Sequence, residues 1–346
     1  MSSRVFGFTL LRNAIKYDYC FKESLESLLN VCEDVTIAFD RGEDDTEKIL
    51  NQLPRLHLVD SPWNMQKREG GIVLSEQTNI ALEKLRKDKM DIENAWGFYL
   101  QADEVLHEDD RELILKDIEL ADQFHYDAIS FRYLHFWQSH HSIAINKKWY
   151  PQEVRAVKLK TNIESWGDAQ GFRNQSKIYQ SEARIFHYGH VREEDKYLSK
   201  KADILKMYHS DQKLSKYKRR EKKFDSLTET LPYWGPQPLW MKERVLRLGE
   251  DWLSHKADEV FIVGDPALYS SKLKNNIHAE NIYWVNSVGE VPKDQRHKMV
   301  IALPSFWQKL FSPSKVPLKM RSKLALPWNI DFILTLKLSE IGVSVV

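Results

Sequence analysis

With 346 residues the chain exceeds what one hydrophobic core usually serves, and its 42% hydrophobic content is ample for burial, so two domains are expected. Lysine and arginine number 51 against 50 aspartate and glutamate, a near-neutral balance that argues against a nucleic-acid partner and leaves local charge to carry any recognition. The two cysteines, Cys20 and Cys32, lack the partners of a zinc site and are too few for a disulfide scaffold; no signal-like stretch opens "MSSRVFGFTLLRN", and no window approaches the roughly 20 apolar residues that cross a bilayer, so a cytoplasmic location is expected.

In chain order, "RVFGFTLL" (4–11) reads as a strand, and "CFKESLESLLNVC" (20–32) as a helix with Phe21, Leu25, Leu28, Leu29 and Cys32 on one face. "DVTIAFD" (34–40) is a strand, "DDTEKILNQL" (44–53) a helix and "RLHLVDSP" (55–62) a strand. "SEQTNIALEKLRKDK" (75–89) is a helix with Ser75 and Thr78 as alternative N-caps, followed by the strand "WGFYL" (96–100). Four strands joined by helical crossovers predict a doubly wound, mainly parallel sheet, whose ligands bind beyond the carboxyl ends of the strands. "AISFRYLHFW" (128–137) and "EVRAVKL" (153–159) carry aromatics without helical crossovers and predict an antiparallel extension.

Residues 196–223 hold eleven Lys or Arg against three Asp or Glu, the pattern of a solvated helix or of a peripheral contact with anionic lipid. "LPYWGPQPLW" (231–240) reads as a connection between domains. Beyond it, "DEVFIVGDP", "ENIYWVNS", "HKMVIALPS" and "GVSVV" read as the strands of a smaller α/β domain without a catalytic residue of its own. The expected organisation is a catalytic domain over 1–195, a basic helix and Pro-rich linker over 196–240, and an accessory domain over 241–346.

The run "GFYLQADEVLHEDD" (97–110) turns within one residue from buried strand to carboxylates. Such a cluster needs positive charge: a hard cation such as Mg2+ or Mn2+ held with substrate phosphates, a helix N-terminus, or a basic side chain. A second cluster, "AFDRGEDDT", ends a strand at Asp40 and begins a helix, where acidic residues are commonly caps. In "SWGDAQGF", Gly167 and Gly171 let the loop of Asp168 approach a ligand, while Trp166 and Phe172 offer faces for sugar stacking. Arg155 could meet phosphate oxygens through its rigid fork, or serve as a salt-bridge residue.

The ordered set "FTLLRN", "DRGEDDT", "EQTNIAL" and "FYLQADEVLHE", followed by "KKWYPQEVRAVK", "SWGDAQGFR" and "IFHYGHVR", resembles the nucleotide-sugar-binding half of GT-A glycosyltransferases, specifically bacterial members of family 2, over residues 4–210. The resemblance implies a GT-A-like sheet. It implies Asp40 accepting from the donor base with Thr9 and Arg12 beside it, Asp44 close by, and Gln77 and Asn79 facing the donor. Asp103 would be the second carboxylate of the family's Asp-x-Asp metal motif, with Gln101 standing where the first Asp usually does; Gln101 would bind ribose or a metal-bound water without supplying charge. His187 would be a further metal ligand, with His190 the competing candidate, and Mn2+ or Mg2+ the cofactor. Asp168 would be the general base of an inverting transfer. The expected activity is transfer of a sugar from a nucleotide-sugar donor to a hydroxyl of a sugar or glycan acceptor. The alternatives are a non-catalytic sugar- or partner-binding protein on a decayed fold, and a sugar nucleotidyltransferase.

Overall fold

The structure, a computed structural model, describes residues 3–64, 66, 69–144, 149–193, 196–198, 200, 203, 230–233, 236–250, 252, 257–263, 279–285, 298–302 and 334–335. The chain divides into two compact units, one comprising Met1–Gln138, Tyr150–Leu227 and Pro238–Arg244, the other Ser139–Trp149, Thr228–Gln237 and Val245–Val346.

In the first unit, β1 (Arg4–Leu11), β2 (Val35–Phe39), β3 (Leu56–Asp60) and β4 (Ala95–Tyr99) are parallel, in the order β3-β2-β1-β4. The crossovers carry α1 (Phe21–Val31), the short α2 (Thr46–Leu50) and α3 (Ile72–Asp88). The sheet then becomes mixed. After β5 (Glu104–Leu106), α4 (Arg111–Gln123) and β6 (Ala128–Trp137), strand β7 (Gln152–Lys158) inserts antiparallel between β4 and β6. A small antiparallel pair, β8 (Glu164–Trp166) and β9 (Gly171–Arg173), precedes the long β10 (Ile178–His190), which runs parallel to β6 and antiparallel to β5. The architecture is α/β, a mainly parallel sheet with an antiparallel extension.

Alternation along the strands explains the two-sided core. On β1, Val5 and Leu11 join Leu25 and Leu28 of α1, whereas Phe6 and Phe8 join Ala81, Leu82 and Leu85 of α3 on the opposite face. Helix α4 contributes Ile114, Ile118 and Ala121 to the α1 side. Gly7 sets how closely α1 can approach: a β-carbon there would lie 2.8 Å from both Leu28 Cδ2 and Val35 Cγ2. Gly7→Ala is therefore expected to lower stability by about 1–3 kcal/mol through overpacking, read from the urea midpoint. An unchanged midpoint would mean that α1 shifts at no cost.

Helix α3 begins three residues before the expected start, after the left-handed Gly71. Ser75 and Thr78 are not its caps; inside the helix their hydroxyls donate to the carbonyls of Ile72 and Leu74.

In the second unit, Ala279–Val285, Ala257–Val263 and Lys298–Ala302 form a parallel sheet in that order, with Leu334–Thr335 antiparallel to the last. These three parallel strands coincide with "ENIYWVNS", "DEVFIVGDP" and "HKMVIALPS". Separately, Ser142–Ala144 pairs antiparallel with Thr230–Pro232. The expected strand "GVSVV" and most of the basic 196–223 run lie outside the described residues. Among the described residues no helix is long and apolar enough to cross a membrane.

Candidate functional site

Strands β1 and β4 are neighbours at the point where the sheet order turns back, and a cavity of about 260 Å3 opens beyond their carboxyl ends. Arg12 and Asn13 reach it from β1, Gln101 and Asp103 from β4, Asp168 from the loop between β8 and β9, and His187 from β10. Aromatic walls come from Tyr17, Tyr19, Trp63, Tyr99 and Tyr150.

The Asp103 carboxylate is the point of this cavity on which two cations converge. It is 5% exposed, and its Oδ2 lies 3.0 Å from Lys200 Nζ and 3.7 Å from Arg192 Nη2. Burial opposes its ionisation, but the charges of Lys200 and Arg192 outweigh that and hold the acid well below the usual carboxylate range. Lys200 is brought down to about 8, first by burial and then by the Arg192 charge, against the pull of Asp103. Both cations are fixed by neighbours: Lys200 Nζ and Arg192 Nη2 donate to the Gly189 carbonyl at 3.3 and 2.8 Å, and both heads stand over the Tyr19 ring.

His187 contributes an oriented imidazole. His135 Nε2 lies 2.8 Å from the Tyr150 carbonyl, which can only accept, so that nitrogen carries the proton. Burial depresses the basicity of both imidazoles, so both are neutral. His135 Nδ1 then accepts from His187 Nδ1 at 3.0 Å, and His187 Nε2 is left as a lone pair 3.8 Å from Asp103 Oδ1. A β-carbon on Gly189 would fall 2.6 Å from that nitrogen and 3.1 Å from Asp103 Oδ2, so glycine is required where β10 passes this pair.

Asp168 sits on a loop held from several directions. Gly167 and Ala169 flank it with φ of +62° and +61°. Ser75 Oγ shares its one proton between the Ile72 carbonyl at 3.0 Å and the Gly167 carbonyl at 2.9 Å, Gln101 Nε2 donates to the Ala169 carbonyl at 3.2 Å, and Arg155 Nη1 to that of Gln170 at 2.7 Å. Asn79 secures the loop's base through two bonds with the Ser165 backbone, at 2.9 and 2.8 Å. Among the described groups, this network presents the Asp168 side chain to the cavity through the backbone around it.

The structure thus brings Arg12, Gln101, Asp103, Asp168 and His187 together and places the other expected residues elsewhere. Thr9 is buried and donates to the Leu100 carbonyl at 2.6 Å. Asp40 does not line the cavity; its two oxygens accept from the Gly42 and Trp63 backbone at 2.8 Å, with Arg12 Nε 3.5 Å away. Asp44 accepts from Lys16 and Thr46 and ties α2 to the end of β1. Of the two acidic clusters, "QADE" thus reaches the cavity through Gln101 and Asp103, whereas Asp40 and Asp44 stand outside its lining, bonded to the backbone of Gly42, Trp63, Lys16 and Thr46. Gln77 is buried in α3 outside the cavity lining, with no partner for its Oε1 among the described groups.

Arg155 does not meet phosphate oxygens. It is fully buried and forms a two-point pair with Glu104, Nε to Oε2 at 3.0 Å and Nη2 to Oε1 at 2.8 Å. Tyr133 and the Gln101 backbone complete the shell of Glu104. Phe172 is a core residue packed edge-on to Phe8 and Tyr99, which removes it from sugar stacking, whereas Trp166 is 55% exposed. His190 packs on Trp137 and does not line the cavity. Lys200, Arg192, His135 and Tyr150 were missed in the sequence.

No family model and no curated protein matches the sequence. Among solved structures, the chain is similar to S. aureus TarS at 11% identity and a TM-score of 0.33, over 59% of this chain and 39% of that one. The TarS 1–349 structure in complex with UDP-GlcNAc is matched at 11% identity and a TM-score of 0.34, over 59% of this chain and 64% of that one. A protein of Desulfovibrio desulfuricans G20, provisionally named a nucleotide-diphospho-sugar transferase, is matched at 14% identity and a TM-score of 0.31, over 61% of this chain and all of that one. The chain therefore spans less than two thirds of the TarS chains it matches. Superpositions this loose carry no functional weight.

Proposed function

We propose that the first unit transfers a glycosyl group from a nucleotide-sugar donor to a hydroxyl acceptor. The observation that carries this reading is the cavity at the turning point of the sheet order. There, cations assembled on Asp103 and the locked carboxylate Asp168 share a chamber walled by aromatic rings. Cations suit a diphosphate, rings suit base and sugar faces, and a carboxylate suits removal of a hydroxyl proton. In the reaction, the acceptor oxygen bonds to the anomeric carbon as the bond from that carbon to the diphosphate oxygen breaks. The bonding pair leaves with the diphosphate, and Asp168 takes the hydroxyl proton. Attack from the face opposite the leaving group inverts the anomeric centre.

The expected divalent metal does not fit the donor set. Asp103 and His187 supply two ligand atoms, and no group of three or more His, Cys, Asp or Glu forms a metal cluster among the described residues. The carboxylate already holds two cations. Two protein donors, one of them already paired with Lys200 and Arg192, are a poor basis for a dedicated hard-cation site.

UDP-, GDP-, CMP- and dTDP-sugars are the panel for a thermal-shift test. One of them is expected to raise the melting temperature; at a hundredfold excess over Kd the stabilisation is about 2.7 kcal/mol. Failure of every member to shift the transition, with or without Mn2+, would refute the reading.

A further inference from the structure

We propose that Lys200, seated on Asp103, is the cation that meets the donor diphosphate, so that the site works without a divalent metal. This rests on the glycosyl-transfer reading above and deepens it. The ammonium lines the cavity, 3.0 Å from Asp103 Oδ2 and 3.3 Å from the Gly189 carbonyl, with the Tyr19 ring 4.4 Å below it. These three contacts fix the charge in position before any ligand arrives, which is what electrostatic stabilisation of a leaving group requires. Arg192 makes the arrangement asymmetric. Lys200 and Arg192 share the one carboxylate of Asp103, and of the other acids lining the cavity Asp203 is engaged by Tyr17 at 2.9 Å and Lys16 at 3.7 Å, so this three-residue cluster carries a net positive charge that a diphosphate can meet.

The same geometry accounts for the neutral side chain at 101. With a lysine providing the charge, a second carboxylate at that position would only compete with the diphosphate. Gln101 instead donates its amide to the Ala169 carbonyl and steadies the loop of Asp168. As the bond between the anomeric carbon and the diphosphate breaks, the electron pair moves onto the diphosphate oxygen, Lys200 remains protonated and close to it, and the acceptor proton goes to Asp168. No further reactant is needed.

The test has a metal arm and a diphosphate arm, both on the full chain. In the metal arm, Mn2+ is titrated into ligand-free protein and followed by paramagnetic resonance. Wild type is expected to show no Mn2+ site at sub-millimolar concentration. A sub-millimolar site that disappears in Asp103→Asn would overturn the proposal whatever the protein's activity. In the second arm, UDP, GDP, CDP and dTDP are titrated calorimetrically in EDTA and in Mn2+. Wild type is expected to bind one of them equally well in both. Lys200→Gln should bind it at least tenfold more weakly, and Lys200→Arg should recover part of the loss.

Binding that needs Mn2+, or Lys200→Gln binding like wild type, overturns the role of Lys200 and leaves glycosyl transfer standing. Binding of no nucleotide under either condition overturns both. Because the metal arm and the wild-type comparison need no variant at Lys200, a Lys200→Gln protein that fails to fold does not remove the test.

Discussion

Asp168→Asn is expected to reduce turnover by about 100-fold or more while donor affinity stays close to wild type, because the amide keeps the size of the side chain and loses its basicity. The expected split, kcat down and binding unchanged, follows from how the loop is held. Its carbonyls at Gly167, Ala169 and Gln170 are tied by Ser75, Gln101 and Arg155, and these three bonds remain when the Asp168 carboxylate becomes an amide. Donor hydrolysis and transfer rates, measured beside a nucleotide titration, decide it. A near-normal rate would remove Asp168 from the chemistry. Glu164 would be a poor replacement, since it is paired with Arg173 across β8 and β9.

Glu104→Gln is expected to cost about 3–5 kcal/mol of stability, because it leaves the fully buried Arg155 guanidinium without its counter-charge. The double variant Glu104→Gln/Arg155→Met should regain part of the loss, since it removes both charges from the core. Urea unfolding of wild type and the two variants gives the comparison. A loss under 1 kcal/mol in Glu104→Gln would mean that water enters to solvate the arginine. The pair also has a second consequence. Arg155 joins Glu104, next to Asp103, to the Gln170 carbonyl, beside Asp168, so surviving Glu104→Gln protein should turn over more slowly without a matching loss of donor binding.

The parallel half of the sheet was legible because each strand is a short apolar run between helical patterns, and β1, β2 and β4 are buried nearly throughout. Helix α4 went unread although Ile114, Ile118 and Ala121 keep helical spacing, since the carboxylates before it drew the reading toward a metal. Those carboxylates have separate tasks. Asp103 holds cations, Glu104 holds Arg155, and Asp110 takes Arg184 through both oxygens at 2.9 Å. Which basic residue answers which acid depends on strand pairing far along the chain, and local pattern does not contain it. Asp103 and Asp168 could be read because each lies in a short polar break after an apolar run. Lys200 could not, because it is one of eleven basic residues in a run that reads as solvent-facing. His135 was concealed by its place inside "AISFRYLHFW", where alternation marks a core residue and says nothing of its bond to His187.

The ion cluster on Asp103 also sets a timetable for biogenesis. Asp103 leaves the ribosome 97 residues ahead of Lys200, and at roughly 5–20 residues per second that gap lasts on the order of 5–20 s. Throughout it the four parallel strands are available to pair, while β10, which brings His187, and the lysine behind it are still being made. A nascent chain can therefore hold the doubly wound half of the sheet with its acid still hydrated. The chamber closes only when synthesis has passed residue 200, so a chain released before that point would carry the scaffold without the charge that answers its ligand.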